Sequence, residues 1–260
     1  MRIILDLEKS VEQNAAVYFE KSKKYKKKLE GAKEALKHTT KKLKKAEEKI
    51  KQETKKNIPK KSIKKRKKKE WYENFRWFFS STGFLVIAGR DATTNEIIIK
   101  KHTGKEDLVF HTNLSGSPFG VVKSENKNIN EETKYEAAQF IACYSRAWKT
   151  GMSSLEVFYV NPDQVTKEAP SGEYIQKGSF MIYGKKNSLY PLIKLFVGIR
   201  KDNRIMSGPK RAVEKHCEDF VEVLQGREKT SKTAKKIKKR IGGELDEIIR
   251  VLPSGGCRLR

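Results

Sequence analysis

The chain predicts an α+β fold in three parts: a long amino-terminal coiled-coil helical arm (residues 1–70), a mixed, largely antiparallel α/β domain (71–206) and a small, basic, helical carboxy-terminal extension (207–260). Three observations carry this. An apolar seam recurs at alternating steps of four and three through the first fifty residues. Short β-branched runs then follow one another around a single long amphipathic helix, the pattern of an antiparallel α+β domain rather than a doubly wound nucleotide fold. The third is charge: Lys+Arg number 58 against 32 Asp+Glu, net +26 in 260 residues. It is unevenly spread, at net +16 over residues 1–70, +4 over 71–206 and +6 over 207–260. The middle is therefore an ordinary globular composition with basic flanks, and an excess of this size implies a polyanionic partner, most often nucleic acid.

Ile3 to Leu7 alternates and reads as one short strand. The seam follows: Val11, Ala15, Tyr18, Ser22, Tyr25, Leu29, Ala32, Leu36, Thr39, Leu43, Ala46 and Ile50, the heptad signature of a coiled coil. Gly31 is its one internal breaker and Pro59 closes it. Ala, Ser and Thr weaken the seam, so the helix needs a partner, either residues 60–80 folding back as a second helix or another chain. Eight of the ten residues from Lys60 to Lys69 are Lys or Arg, a phosphate-gripping run in which Lys64, Lys65, Arg66, Lys67 and Lys68 are candidate RNA contacts. The aromatic cluster of residues 71–79 reads mainly as core.

Runs at 84–89, 96–101, 107–111 and 119–123 read as strands, and Glu131 to Lys149 as one amphipathic helix ended by Gly151. Runs at 155–160, 179–184 and 191–199 return to strand. The polar connection from Pro162 to Ser179 places Lys167, Tyr174 and Lys177 together, and Lys185, Lys186 and Asn187 follow the next strand. Basic residues interleaved with Tyr suit RNA backbone contact and base stacking. Arg76, Arg90, Lys100, Lys101 and His111 complete the candidate RNA-binding set. Arg90–Asp91 reads as an ion pair fixing a turn, Asn95–Glu96 as a turn and strand start, and Gly116 and Gly120 as turn residues. After Pro209 a helix (211–217) and a strand (220–224) are expected. A lysine-rich helix capped by Thr230 or Ser231 and stopped by Gly242–Gly243 completes the pattern.

Several function classes are excluded or disfavoured. No run approaches eighteen apolar residues and no apolar signal core follows Met1–Arg2, so no membrane partner is expected and the location is cytoplasmic. Cys143, Cys217 and Cys257 stand far apart, as do the four histidines, which argues against a disulfide framework or a zinc site. Neither SGSPFG nor KKHTGKE fits a Walker loop. Asp91, His111 and Cys143 form the best catalytic set available, yet no spacing rule joins them, and Cys143 lies among apolar helix residues. The expectation is no catalytic residue, no metal and no cofactor.

Three strings, EWYENFRWFFSSTGFLVIAGRDATTNE (70–96), HTNLSGS (111–117) and KEAPSGEYIQKGSFMIYGKKN (167–187), resemble the RNA-binding domain of the NFACT family of ribosome quality control factors. The heptad helix resembles the family's middle coiled coil, and the tail resembles archaeal members. The resemblance implies a non-enzymatic factor that binds the large ribosomal subunit and contacts tRNA or ribosomal RNA of stalled complexes. It also implies a missing amino-terminal half, which a separate NFACT chain would supply through the coil. A coiled-coil adaptor, or a general RNA-binding protein without ribosome specificity, is the alternative. The chain departs from the family pattern at Thr82, Asn113 and Ser115, where an acid, an Asp and often a His are usual.

Overall fold

The computed structural model describes residues 4–56, 69–168 and 175–260, with side chains for residues 44–56 left undescribed. The chain divides into two compact units, residues 1–67 and 68–260.

The first unit is one helix, α1 (Val11–Lys56). At about 1.5 Å per residue it is about 69 Å long. Gly31 does not interrupt it, because one glycine in a long run of Lys, Glu, Ala and Leu costs only about 1 kcal/mol. Ser10 starts it with a reciprocal cap: its Oγ accepts from Gln13 N and its N–H donates to Gln13 Oε1. The strand expected at Ile3–Leu7 is not formed among residues 4–7. Side chains of the helix take its backbone groups instead: Asp6 N donates to Asn14 Oδ1, Asn14 Nδ2 donates to Asp6 O, and Tyr18 hydroxyl meets both N and O of Ile4. The seam from Val11 to Leu43 is exposed, with Tyr25, Leu29, Leu36 and Leu43 all more than half accessible. Ala46 and Ile50 lie beyond the described side chains.

The second unit begins with a 3₁₀ turn (Trp71–Asn74) and β1 (Arg76–Phe79). These residues therefore do not form a helix folding back on α1; residues 57–68 lie outside the described set. Strands β2 (Leu85–Ala88), β3 (Leu108–Thr112), β4 (Gly120–Val122), β5 (Val157–Val160) and β8 (Asn187–Leu189) join β1 in a six-stranded antiparallel sheet, ordered β1-β2-β4-β3-β5-β8. Ile87, Val121, Val109 and Val160 align across its centre and are all buried. Between β2 and β3 stands helix α2 (Ala92–Lys101). Helix α3 (Glu131–Cys143) lies against β3, β4 and β5. A short helix, α4 (Arg146–Thr150), follows it and ends at left-handed Gly151. Strands β6 (Val165–Thr166) and β7 (Met181–Ile182) form a small ribbon.

A second antiparallel sheet, ordered β10-β9-β11-β12, is built from β9 (Leu195–Arg200), β10 (Ile205–Gly208), β11 (Cys217–Glu228) and β12 (Cys257–Leu259). Helices α5 (Lys210–His216), α6 (Thr230–Ile241) and α7 (Leu245–Val251) pack on it. Residues 207–260, expected as a helical extension, thus also contribute two strands, and the sheet straddles position 206. Its residues share one core with the first sheet. Gly208 sits so close to the Phe78 ring that an added Cβ would lie 3.2 Å from it, and Tyr144 hydroxyl bonds Ser207 Oγ at 2.7 Å. Trp148 Nε1 donates to Gly256 O at 2.9 Å and holds the tail in place.

Three further expectations are corrected. Residues 96–101 are helix, not strand: Asp91 accepts from Thr94 N, and Thr94 Oγ1 accepts from Asp91 N, a capping box that starts α2. Residues 131–149 are two helices, because Ser145 turns its hydroxyl to Ala142 O and caps Ala147 N, restarting the chain in a new direction. Thr230 and Ser231 do not cap α6; Lys229 precedes it without a side-chain cap. Of the aromatic cluster, Tyr72, Phe75, Trp77 and Phe78 are buried, and exposed Trp71 stacks on His102 at 4.6 Å.

Candidate nucleic-acid interface

The turn from β2 into α2 opens a cleft of about 440 Å³. Arg76, from the first position of β1, crosses beneath the turn. Its Nη1 donates to Gly89 O at 2.5 Å, and its guanidinium lies over the Tyr144 ring at 4.6 Å. Arg90 donates through Nη2 to Phe75 O at 2.8 Å and Glu73 O at 3.3 Å. Both arginines thus brace backbone carbonyls rather than acids. The Arg90–Asp91 ion pair expected from sequence is not formed, because Asp91 is the cap of α2. Neither guanidinium joins an ion pair among the described residues, and Nε of each is buried without a partner. Burial lowers the pKa of both arginines; repulsion from Arg250 and then Arg76 adds to it at Arg90, while the Asp91 carboxylate opposes the shift at both. Arginine nevertheless stays charged, so the cleft keeps two poorly solvated cations.

Asn95 and Glu96, in α2 rather than at a turn, clasp the walls. Asn95 Oδ1 accepts from Phe119 N at 3.2 Å, and its Nδ2 reaches Gly178 O. Glu96 Oε1 accepts from Gly178 N at 3.1 Å and pairs with Lys167 Nζ at 2.9 Å. Lys167 also donates to Gln176 O and Ser179 O, and these contacts hold the Glu96 carboxyl down at about 2, Lys167 being the larger cause. Gly178 has φ +81° and touches the Ala92 backbone, an approach that only a residue without Cβ permits. The far wall is the β3–β4 turn. There Gly116 takes φ +84° and Ser117 Oγ donates to Leu114 O. Gly120 is not a turn residue: it lies in β4, where a Cβ would strike Ile141.

His111 faces the same cleft. Its ring stacks on Phe119 with centroids 3.9 Å apart and planes nearly parallel, and Nδ1 lies 3.0 Å from Pro118 O. A carbonyl only accepts, so Nδ1 carries the proton and Nε2 is left as an acceptor. Burial drives the His111 pKa down to about 4, so the ring is neutral at pH 7.

Of the sequence-predicted residues, Arg76, Arg90, His111 and Lys177 come together here. Lys167 supports the wall from behind. Lys100 and Lys101 stand at the far end of α2, with Lys100 held loosely by Glu96. Lys185, Lys186 and Asn187 form an exposed basic corner by the β8 edge, where Lys186 Nζ sits over the Phe158 ring at 4.5 Å. Lys64, Lys65, Arg66, Lys67, Lys68 and Tyr174 lie outside the described residues. The sequence reading missed Asn95, Tyr144, the Ser115–Phe119 turn and Ser254 as cleft-forming. The Asp91-x-x-Thr94 capping pattern was the signal that would have placed Asn95 on a helix.

Residues 74–184 match the model of the NFACT protein RNA binding domain, and all of the cleft except Ser254 lies within that segment. The chain belongs to the NFACT family. It is 41% identical over 201 residues to the archaeal Rqc2 homolog aRqcH of Methanocaldococcus jannaschii, covering 75% of this chain and 30% of that protein. It is 43% identical over 131 residues to the human ribosome quality control complex subunit NEMF, covering 50% of this chain and 12% of the relative. Ribosome quality control complex subunit 2 of Schizosaccharomyces pombe is 36% identical over 125 residues, 47% of this chain and 12% of that protein. The chain therefore spans 30% or less of the length of these curated relatives.

No helix among the described residues is long and apolar enough to cross a membrane. Cys143, the one nucleophile weighed from sequence, is fully buried in α3, and burial pushes its thiol far up.

Proposed function

We propose that this NFACT chain is a non-enzymatic, cytoplasmic RNA-binding factor of ribosome-associated quality control that binds the large ribosomal subunit and the tRNA of stalled complexes. The observation that carries the reading is the pair Arg76 and Arg90, two guanidiniums held in a cleft of the family's RNA-binding segment without a direct ion pair, the nearby Asp91 carboxylate being engaged as the cap of α2. Charge-assisted bonds to phosphate oxygens are what such a pair suits. The names of the relatives support the ribosomal setting. The exposed lysines of α1 and α6 add phosphate contacts of low sequence specificity. The exposed seam of α1 suits pairing with a second apolar helix, such as one on a separate chain carrying the amino-terminal part of the family. That seam is also the observation favouring the alternative, a coiled-coil adaptor.

Co-sedimentation with purified large subunits, with and without trapped peptidyl-tRNA and across a salt series, tests the proposal. Binding is expected to be stronger with peptidyl-tRNA and to weaken by about 0.7–0.9 log units per log unit of salt for each phosphate neutralised. Affinity unchanged between low and moderate salt contradicts it. Salt-sensitive binding without preference for peptidyl-tRNA leaves a general RNA-binding protein.

A further inference from the structure

We propose that the cleft between α2 and the β3–β4 turn receives one phosphorylated ribonucleotide unit of unpaired RNA, with the phosphate toward Arg76 and Arg90 and the sugar toward His111. The inference rests on the RNA-binding reading and names the ligand of its central site. Four features of the cleft argue for it, and each excludes a simpler occupant.

The two guanidiniums call for an anion. Holding two desolvated guanidiniums with one carboxylate nearby, Asp91, itself tied up as the cap of α2, is costly, and an anion entering the cleft offsets that cost through charge-assisted bonds. A bare phosphate, however, leaves most of about 440 Å³ empty. Apart from Lys177 and the Asp91 carboxylate, whose charges oppose each other, the rest of the lining is neutral. His111 offers a neutral acceptor, and Ser115 and Ser179 offer hydroxyls, groups that match sugar hydroxyls rather than a second phosphate. Phe180, partly exposed at the rim and packed edge-on against Phe119, supplies aromatic surface for a base. A cleft of this volume is in the range of small-molecule sites and admits one nucleotide. A duplex, whose bases are stacked and paired, presents no single nucleotide to enter it.

The test is calorimetric titration of the full chain at low salt with adenosine 5′-monophosphate, adenosine, inorganic phosphate, single-stranded oligoadenylate and an RNA duplex of equal length. The monophosphate should bind roughly tenfold or more tighter than either adenosine or phosphate, the effect of losing one hydrogen bond to a charged group. The single strand should bind tighter than the duplex and compete with the monophosphate. Ser115→Trp places a bulky neutral side chain at an exposed position in the mouth. It should abolish monophosphate binding while leaving net charge and melting temperature unchanged. Two wild-type results overturn the proposal without any variant: no detectable binding of the monophosphate, or tighter binding of the duplex than of the single strand. A monophosphate that binds but is not displaced by the single strand overturns the RNA assignment. Wild-type chain that sediments with large subunits yet binds no nucleotide sinks this inference and leaves the proposed function standing; loss of both sinks both.

Discussion

His111 makes the stability of the second unit depend on pH in a window of its own. Its ring is packed flat on Phe119 and bonded to Pro118 O, and burial lowers its pKa from 6.5 to about 4. The folded state therefore binds fewer protons than the unfolded state between those values, so stability falls as pH falls. The full contribution is present above pH 6.5 and is lost progressively down to pH 4. Linkage across a 2.5-unit depression, integrated from pH 7 to pH 5, gives a loss of about 2 kcal/mol, and about 3 kcal/mol by pH 4. Asp91 and Glu96 are depressed from their ordinary values, so their contributions fade only below about 4.5, whereas Glu136, raised by burial, acts with the opposite sign. His102 is also lowered, by burial first and nearby lysines second, so wild type alone does not isolate His111. The comparison is His111→Asn, which keeps a side-chain N–H for Pro118 and removes the titration. Urea denaturation of both proteins at pH 7 and pH 5 should show the variant losing about 2 kcal/mol less than wild type over that interval. Equal losses in the two proteins would refute the burial argument.

Three further outcomes follow from the geometry. Gly178→Ala forces a Cβ into the Ala92 backbone at φ +81°, and should destabilise the second unit by at least about 2 kcal/mol in urea, from the left-handed penalty plus overpacking; an unchanged midpoint contradicts the close approach. Replacing Lys235, Lys238 and Lys239 together by Ala removes three exposed charges from one stripe of α6 and should reduce the salt dependence of large-subunit binding by about 2–3 in slope, with thermal stability nearly unchanged; an unaltered slope takes α6 out of the interface. Glu96→Gln frees Lys167 and weakens the acceptor for Gly178 N, so the exchange protection factor of the Gly178 amide, corrected for the intrinsic rate, should fall, as it should in wild type when pH drops from above 4.5 toward 2; an unchanged protection factor removes Glu96 from the clasp.

The strands at 85–88, 108–112, 120–122 and 157–160 were legible because each is a short β-branched run between turn residues. Three successive isoleucines at 97–99 looked the same, yet they belong to a helix with Ile98 buried and Ile97 and Ile99 partly buried. A run of apolar residues does not carry its own periodicity, and what decided between strand and helix was the cap at Asp91 and Thr94, two polar residues outside the run. Ser145 hid a helix break in the same way, since its hydroxyl bonds are local and invisible in the apolar stripe. The second sheet was less legible still: β11 runs from Cys217 to Glu228 with several charged residues along it, and only its pairing with β9 and β12 keeps it extended. In the cleft, residue type revealed the cations Arg76, Arg90 and Lys177. Nothing in local sequence reveals that Asn95 bonds Phe119 and reaches Gly178, because those contacts span 24 and 83 positions.

That distribution of contacts bears on what the cleft is suited to do. Its walls come from the β2–α2 turn, the β3–β4 turn, the 176–180 loop and the tail at Ser254; hydrogen bonds hold the first three at Gly89, Phe119 and Gly178, and Trp148 holds the tail at Gly256, before any ligand arrives. Its cations are arginines, which do not surrender protons at physiological pH, and its histidine is neutral with its Nδ1 proton committed to Pro118. General acid–base turnover calls for a group whose pKa lies near the working pH, and His111 has been moved away from it. The buried Cys143 thiol, pushed far up, is no nearer to being a nucleophile. Fixed cations, fixed acceptors and rigid walls suit holding a ligand, as the proposed RNA-binding role requires.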